Sequence, residues 1–357
     1  MQEQDVTIIS NMTILGVCLV MGMCGITANI INITIFIKTG FTESINVSLL
    51  GLAVSDLLYL IFIIPWGVFL SLYLLNSHNM QWSALGFTLL YLVIPLLTLS
   101  RVTCLITVYI TVERCLCFVI PLRVKRLLTP TRSAFVVVTI FLLELLTLVL
   151  PYLSLRLDWR WNSSLNRSII DVVGSRRDSA ELMRTRTEIS VSSKMISLLA
   201  LAVSNIALAI SVNKQAKWRA RIAVTASQRN PTAASSRPTD ATTYRNRKLA
   251  RMIQFLSLIL FSTYLPSTLL DHIDLVLPEF SFNGQYKNEF RSFWMLAFVA
   301  QTLNSSVNII FYYRMNTRFR NTFRKMFRKG AARVGIFPAD SNTMDNTVAA
   351  RTQISHC

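Results

Sequence analysis

Three charged side chains lie deep inside long apolar stretches of this 357-residue sequence, and two more stand side by side where one such stretch ends. Glu113 and Arg114 are adjacent where one stretch ends, and Asp56 lies in the middle of another. Arg101 and Glu144 lie inside two consecutive stretches. A charge in apolar surroundings needs a counter-charge, a bound cation or hydrogen-bond donors, because unpaired it costs about 2.5–3.5 kcal/mol or more. The chemistry open to these residues is therefore ion pairing and cation binding.

The rotation of a helix predicts a partner for Arg101. Arg101 precedes Arg114 by 13 residues, so at about 100° per residue it lies roughly 220° around the helix from Arg114. Glu144 lies seven residues before Pro151, near the middle of the next apolar stretch. We expect Arg101 and Glu144 to form an ion pair between two neighbouring helices. The alternative is that Arg101 binds an anionic group of a ligand.

Seven long apolar stretches must position these charges. Hydrophobic residues make up 52% of the chain and charged residues only 15%, against about 25% charged residues in an ordinary soluble protein. Each stretch is about 18 residues or longer, which is enough for a helix to cross a hydrocarbon core of about 30 Å. The sequence therefore predicts an all-α membrane protein, a bundle of seven transmembrane helices. The stretches are 14–37, 47–75, 84–112, 133–155, 195–212, 251–270 and 293–313.

The distribution of positive charge predicts the orientation of the bundle. Most of the 36 Lys and Arg residues fall on one side of the predicted helices, which by the positive-inside rule is the cytoplasmic side. Residues 1–13 are then extracellular, the basic segment 213–248 is a flexible inner loop, and 156–194, with Lys194, is an outer segment. Segment 314–329 is predicted to be an amphipathic helix on the inner membrane surface, and 330–357 a disordered cytoplasmic tail. The net charge of +18 thus reflects topology and contact with anionic lipid, not nucleic-acid binding.

Outer segments carry three N-glycosylation sequons, at Asn11, Asn162 and Asn166. The six cysteines have no metal-ligand spacing, and none lies in a predicted outer loop, so we expect no disulfide. The three histidines are far apart in the sequence and form no catalytic cluster with acidic residues. We therefore expect no enzymatic activity, no cofactor, and no metal beyond a possible sodium ion.

Five short motifs occur in order, each in its own predicted helix. They are GITAN ending at Asn29, LAVSD ending at Asp56, ERC at 113–115, FSTYLP at 261–266 and LNSSVNIIFYY at 303–313. Together they resemble the motifs of rhodopsin-like G-protein-coupled receptors, from Asn29 to Phe327. The stretches TESINVSLLGLAVSDLL and ERCLCFVIPLRVK further resemble molluscan chemosensory-type or neuropeptide-type receptors.

This resemblance implies a receptor in the plasma membrane that binds an extracellular ligand and activates a heterotrimeric G protein. It implies that Glu113 restrains Arg114 at rest, and that release of the arginine exposes it to the G protein. The implied coupling and switch residues are Glu113, Arg114, Pro121, Leu122, Tyr264, Pro266, Asn308 and Tyr312. The implied sodium pocket comprises Asp56, Thr103, Asn304, Ser305 and Asn308, and a purely structural, hydrogen-bonded Asp56 is the alternative.

Departures from the family pattern accompany the matches. Ile309 replaces the proline of the last motif, Tyr264 replaces the tryptophan of the sixth helix, and Leu89 stands where the disulfide cysteine is expected. An aminergic ligand is disfavoured, because Leu96 occupies the place of the aspartate that binds amines in the family. A retinal ligand is disfavoured by the lack of lysine in 293–313. A peptide or an environmental chemical remains as ligand, and a membrane channel or transporter as the alternative function.

Overall fold

Among the residues that the structure describes, seven helices are long and apolar enough to cross a membrane. The computed structural model describes residues 3–76, 83–163, 166–174, 179–229, 239–281 and 284–333. We number the membrane-crossing segments spans 1 to 7 in chain order. They are Leu15–Thr39, Ser44–Ser71, Gly86–Val119, Pro130–Ser154, Thr187–Trp218, Arg247–Val276 and Lys287–Met315. The predicted all-α, seven-helix fold is confirmed.

Several of the helices that contain these spans extend beyond the predicted apolar stretches. Two of the spans are interrupted. Span 3 contains a π-helical turn at Leu89–Val93, and span 4 is broken after Leu146. The elements are α1 Glu3–Thr39, α2 Ser44–Asn76, α3 Ala84–Thr88, α4 Ile94–Val119, α5 Pro121–Leu127, α6 Pro130–Leu146, α7 Val149–Ser154, β1 Leu155–Asn162, β2 Arg167–Gly174, α8 Ser179–Arg229, α9 Thr239–Val276, α10 Lys287–Met315 and α11 Thr317–Arg333.

Span 3 lies at the centre of the bundle and span 4 at its edge. In the most apolar window of each, 72% of span 3 is buried inside the protein but only 17% of span 4. Leu142, Leu143 and Leu146 of span 4 are exposed large apolar residues, as expected of a surface that faces lipid tails. Consequently the polar residues of span 3 contact protein on most sides, whereas span 4 borders lipid.

The structure differs from the prediction of a long flexible inner loop at 213–248. Helix α8 continues to Arg229 and α9 begins at Thr239, so only residues 230–238 of that segment lie outside the described residues. The physical reason is composition, because residues 213–229 are rich in Ala, Lys, Arg and Gln, which favour helix, and contain no Gly or Pro. The predicted tail, 330–357, is helical to Arg333, and the rest of it lies outside the described residues.

A two-stranded hairpin between spans 4 and 5 was not predicted. β1 and β2 pair antiparallel, with Leu155 opposite Gly174 and Asn162 opposite Arg167. The strand LRLDWRWN alternates apolar and polar residues, which is the pattern of a half-buried strand and could have revealed it. The Ser83 backbone N–H donates to Ile170 O at 2.6 Å, so a backbone hydrogen bond joins this loop to the start of span 3.

Gly86 allows this close approach of the hairpin to span 3. A Cβ atom at this position would lie 2.6 Å from Asp171 Oδ1 and 3.2 Å from the backbone nitrogen of Val172. A side chain at this position would displace the Asp171 carboxylate and press on the Val172 backbone by a few tenths of an ångström. The described cysteines, which are Cys18, Cys24, Cys104, Cys115 and Cys117, are all free.

Candidate functional site

The C-terminal end of span 3 holds a buried carboxylate beside a buried arginine. Glu113 Oε1 lies 3.3 Å from Arg114 Nη2, and the Glu113 side chain is fully buried. Ser44 donates to Glu113 Oε1, and Ser48 donates to Oε2 at 3.0 Å. Both serines lie on one face of α2, one helical turn apart. Span 2 therefore fixes the carboxylate, and the carboxylate fixes Arg114.

Hydrophobic packing surrounds this ion pair at the same end of the bundle. Ile110, Met252 and Ile253 belong to one buried cluster that joins spans 3 and 6. Tyr312 of span 7 is also in this cluster, and its ring lies 5.3 Å from that of Phe36 in an edge-to-face arrangement. The Tyr312 hydroxyl has no hydrogen-bond partner among the described residues. Spans 3, 6 and 7 are thus packed together at this end of the bundle, around a tyrosine hydroxyl that makes no hydrogen bond with the described residues.

The remaining predicted switch residues lie on two other elements. Pro121 is the first residue of α5 and Leu122 the second, so both follow span 3 directly in the segment that connects it to span 4. Pro266 lies inside α9, and Tyr264, two residues earlier, is completely buried. The Tyr264 ring packs in a cluster with Cys104 of span 3 and Leu201 of span 5. Tyr264 thus connects three spans midway through the bundle.

Asp56 is the centre of a polar cluster between spans 2, 3 and 7. Its Oδ1 accepts hydrogen bonds from Thr103 at 3.2 Å and Ser305 at 3.0 Å, and its Oδ2 accepts one from Asn308 Nδ2 at 2.7 Å. Four of the five predicted pocket residues are therefore joined directly. Asn304 is not bonded to Asp56; it lines a small adjacent cavity of about 10 Å³ together with Thr103 and Ser305.

This polar cluster has the oxygen donors that a hard cation such as sodium requires. The cavity beside Asp56 is also lined by Tyr59, Tyr264 and Gln301. The hydroxyl oxygen of Tyr264 and the amide oxygen of Gln301 are buried without a hydrogen-bond partner among the described residues. Buried oxygens without partners are costly, so a bound ion or water next to Asp56 would satisfy them. The residues present therefore fit a monovalent cation.

Arg101 and Glu144 form a short ion pair between spans 3 and 4. Arg101 Nε donates to Glu144 Oε2 at 2.7 Å, and both side chains are buried. The guanidinium also donates to Ser190 at 2.9 Å and Thr147 at 2.9 Å through Nη1 and Nη2, and to Thr98 at 3.2 Å through Nη2. Because Ser190 belongs to span 5, Arg101 links spans 3, 4 and 5.

A second buried ion pair, between Lys194 and Asp271, joins spans 5 and 6. The sequence reasoning placed Lys194 in an outer segment, but span 5 begins at Thr187 and the lysine side chain is 1% exposed. Its Nζ bonds to Asp271 and lies 5.9 Å and 5.7 Å from the ring centroids of Tyr264 and Trp294. The apolar pattern that starts at Ile189 could have extended the predicted helix. Nothing in the sequence connects Lys194 with Asp271.

The predicted glycosylation sequons lie at two places in the structure. Asn162 ends β1, and Asn166 lies in the turn of the hairpin, exposed and with a positive φ of 48°. Asparagine is among the residues that tolerate this left-handed conformation best. Asn11 lies in the first part of α1, before span 1 begins.

Seven membrane-crossing helices that enclose a polar centre and a restrained arginine define a multi-pass membrane receptor. A protein-family model described as "7 transmembrane receptor (rhodopsin family)" matches residues 28–312 of the chain. The chain therefore belongs to this family of receptors, which are not enzymes. No curated protein matches the sequence.

Proposed function

We propose that the protein binds an extracellular ligand and in response activates a heterotrimeric G protein. The observation that carries this proposal is the Glu113–Arg114 pair, which is buried at the inner end of span 3 and held by Ser44 and Ser48 of span 2. An arginine restrained at this position can act as a switch, because movement of the surrounding helices can break its contact with Glu113. Family membership supports the same conclusion, since receptors of this kind signal through G proteins.

The packing of the inner face indicates how the switch operates. Ile110 and Ile253 keep spans 3 and 6 in contact, so outward movement of span 6 must separate them. Such a movement opens a space beside Arg114, into which a segment of the G protein can insert. Each 1.4 kcal/mol of stabilisation that favours the resting state makes it about tenfold more populated, so weakening the Glu113 contacts shifts the equilibrium toward signalling.

Replacement of Glu113 by Gln tests this proposal. Glu113→Gln removes the negative charge beside Arg114 but keeps a similar shape, so ligand-independent signalling should rise at equal surface expression. Ser48→Ala removes one of the bonds to Glu113 and should give a smaller rise. Glu43→Gln is the matched control, because Glu43 pairs with Arg318 at 2.8 Å on the same side of the bundle and is partly exposed. Unchanged basal activity of Glu113→Gln with every co-expressed G protein would contradict the proposal.

The Asp56 cluster is proposed to hold a sodium ion that stabilises the resting state. When bound, the cation supplies the counter-charge that the Asp56 carboxylate lacks, since its described partners are the uncharged donors Thr103, Ser305 and Asn308. Rotation of the two hydroxyl groups would turn their oxygens toward the cation. Because the cluster joins spans 2, 3 and 7, a cation there ties these spans together.

The ligand is proposed to be a peptide or an environmental chemical that binds in the outer half of the bundle. Trp66, Trp294 and Phe298 form a continuous group of aromatic rings there, with centroid distances of 4.6 and 5.5 Å. Lys194 and Asp271 add two opposite charges next to Trp294. Leu96 is fully buried in the same cluster and offers no carboxylate to an amine. A chemosensory role agrees with this ligand class.

The charges inside the bundle favour a receptor over a channel or transporter. Arg101 bonds to Glu144 and Lys194 bonds to Asp271, so three buried charges and the partly exposed Asp271 are neutralised in pairs between adjacent spans. A channel or transporter needs polar groups that line one continuous path, or paired broken helices. We also propose that the N-terminus is extracellular and the C-terminus cytoplasmic in the plasma membrane, which places Asn11, Asn162 and Asn166 outside.

A further inference from the structure

A groove between spans 4 and 5 opens on the outer surface of the bundle, at the level of Arg101. Its volume is about 370 Å³, within the range of 300–1,000 Å³ that is usual for ligand pockets. The Arg101–Glu144 pair forms its floor, together with the hydroxyl groups of Thr147, Ser190 and Ser193. A charged floor in a groove on the lipid-facing edge of the bundle is unexpected for a purely structural ion pair.

The rim of the groove faces the hydrocarbon of the bilayer. Leu143 and Leu146 of span 4 are 61% and 64% exposed, and Ile189 of span 5 is 49% exposed. These branched aliphatic side chains are suited to lipid and not to water. Arg101 lies 13 residues from Arg114, or about 20 Å along the helix axis, and Ile189 lies two residues after the start of span 5, so the groove lies in the half of the membrane opposite Arg114. Because its rim is aliphatic and lies within the membrane-crossing segments, we expect an occupant to enter from the bilayer.

The hydrogen bonds of the floor define the head group that it accepts. An arginine has five N–H donors, and four of those of Arg101 are used by Glu144, Ser190, Thr98 and Thr147. One N–H is left. Glu144 accepts the Arg101 bond on Oε2, and no donor among the described residues bonds to its Oε1. The floor thus offers one donor and one acceptor on adjacent groups.

We propose that this groove binds a membrane-dissolved lipid alcohol. A hydroxyl group donates one hydrogen bond and accepts others, so it can pair with Glu144 and Arg101 together. A carboxylate would bring a second negative charge next to Glu144, and an ammonium would bring a second positive charge next to Arg101. The apolar chain of the alcohol lies against Leu143, Leu146 and Ile189. This binding is independent of G-protein coupling.

Photolabelling of the full-length receptor in phosphatidylcholine nanodiscs tests the proposal. Three probes carry the same diazirine-bearing hexadecyl chain and end in a hydroxyl, a methyl ether or a carboxylate. The alcohol should label peptides of spans 4 and 5 that border the groove, and unlabelled hexadecanol should compete. The ether and the carboxylate should label these peptides at least about tenfold less, because the ether cannot donate and the carboxylate is repelled.

Variants that fill the groove separate specific binding from general lipid contact. Ser193→Phe should abolish the saturable labelling. Ile189→Trp, which also fills the groove, should have the same effect and replaces the first variant if Ser193→Phe folds poorly. Val203→Phe is the matched control, since Val203 is a 66% exposed residue of the same span that does not line the groove. Labelling that is spread over all lipid-facing surfaces, or that Ser193→Phe leaves unchanged, would overturn the proposal. Stronger labelling by the carboxylate would overturn the choice of head group.

Discussion

Exchange of the charges of Arg101 and Glu144 is the strongest test of the structural reasoning. In Arg101→Glu two carboxylates lie side by side in a buried site, and in Glu144→Arg two guanidinium groups do. The hydroxyl groups of Thr98 and Thr147 remain hydrogen-bonded in either variant, because both also donate to backbone carbonyls, at 3.1 and 2.6 Å. The cost therefore falls on the charge that remains.

The expected magnitude follows from the burial of both partners. Removal of one partner from a buried ion pair costs about 3–5 kcal/mol. This is a large part of the roughly 5–15 kcal/mol by which proteins are usually stable. Each single reversal should therefore reduce surface expression strongly and lower the melting temperature of the purified receptor by on the order of 10 °C.

The double exchange should recover much of the loss, because it restores opposite charges between spans 3 and 4. Replacement of the pair by Arg101→Met with Glu144→Leu should also be milder than either single reversal, since burying apolar side chains incurs no charge penalty. Arg156→Glu is the control, because Arg156 pairs with Asp158 at 2.9 Å in exposed surroundings where an ion pair contributes little. A double exchange as poor as either single reversal would refute the pairing.

Three further predictions concern the polar core and the orientation. Asp56→Asn should remove the sodium dependence of agonist affinity. If sodium does not change agonist affinity in the unmodified receptor, the sodium site is wrong and Asp56 has a structural role only. Lys194→Met should lower thermal stability more than Lys194→Met combined with Asp271→Leu, because the single change leaves the largely covered Asp271 carboxylate without its counter-charge. Equal losses would argue against the ion pair. Replacing Asn162 and Asn166 by Gln should reduce the glycosidase-sensitive mass of the surface receptor, and an unchanged mass would show that the hairpin is not glycosylated.

The spans were predictable because length and hydropathy alone decide whether a helix can cross a bilayer. All seven apolar stretches correspond to observed spans, and the family motifs identified the class before any contact was known. Helical rotation also brought Arg101 to the correct side of span 3, since a residue's angular position depends only on its place in the helix. The β1–β2 hairpin was not predicted, although its strand LRLDWRWN alternates apolar and polar residues. An eight-residue strand is too short to stand out in the hydropathy of segments long enough to cross a membrane.

Contacts between distant residues required the tertiary structure. Lys194 and Asp271 are 77 residues apart, and no local pattern relates them; only the packing of span 5 against span 6 makes them partners. Likewise, nothing in the sequence distinguishes Ser44 and Ser48 from other serines near the start of a helix. Their role as donors to Glu113 appears only when span 2 packs against span 3. The sequence fixes which groups cannot remain unpaired in a membrane. Which groups pair depends on how the helices are arranged around one another.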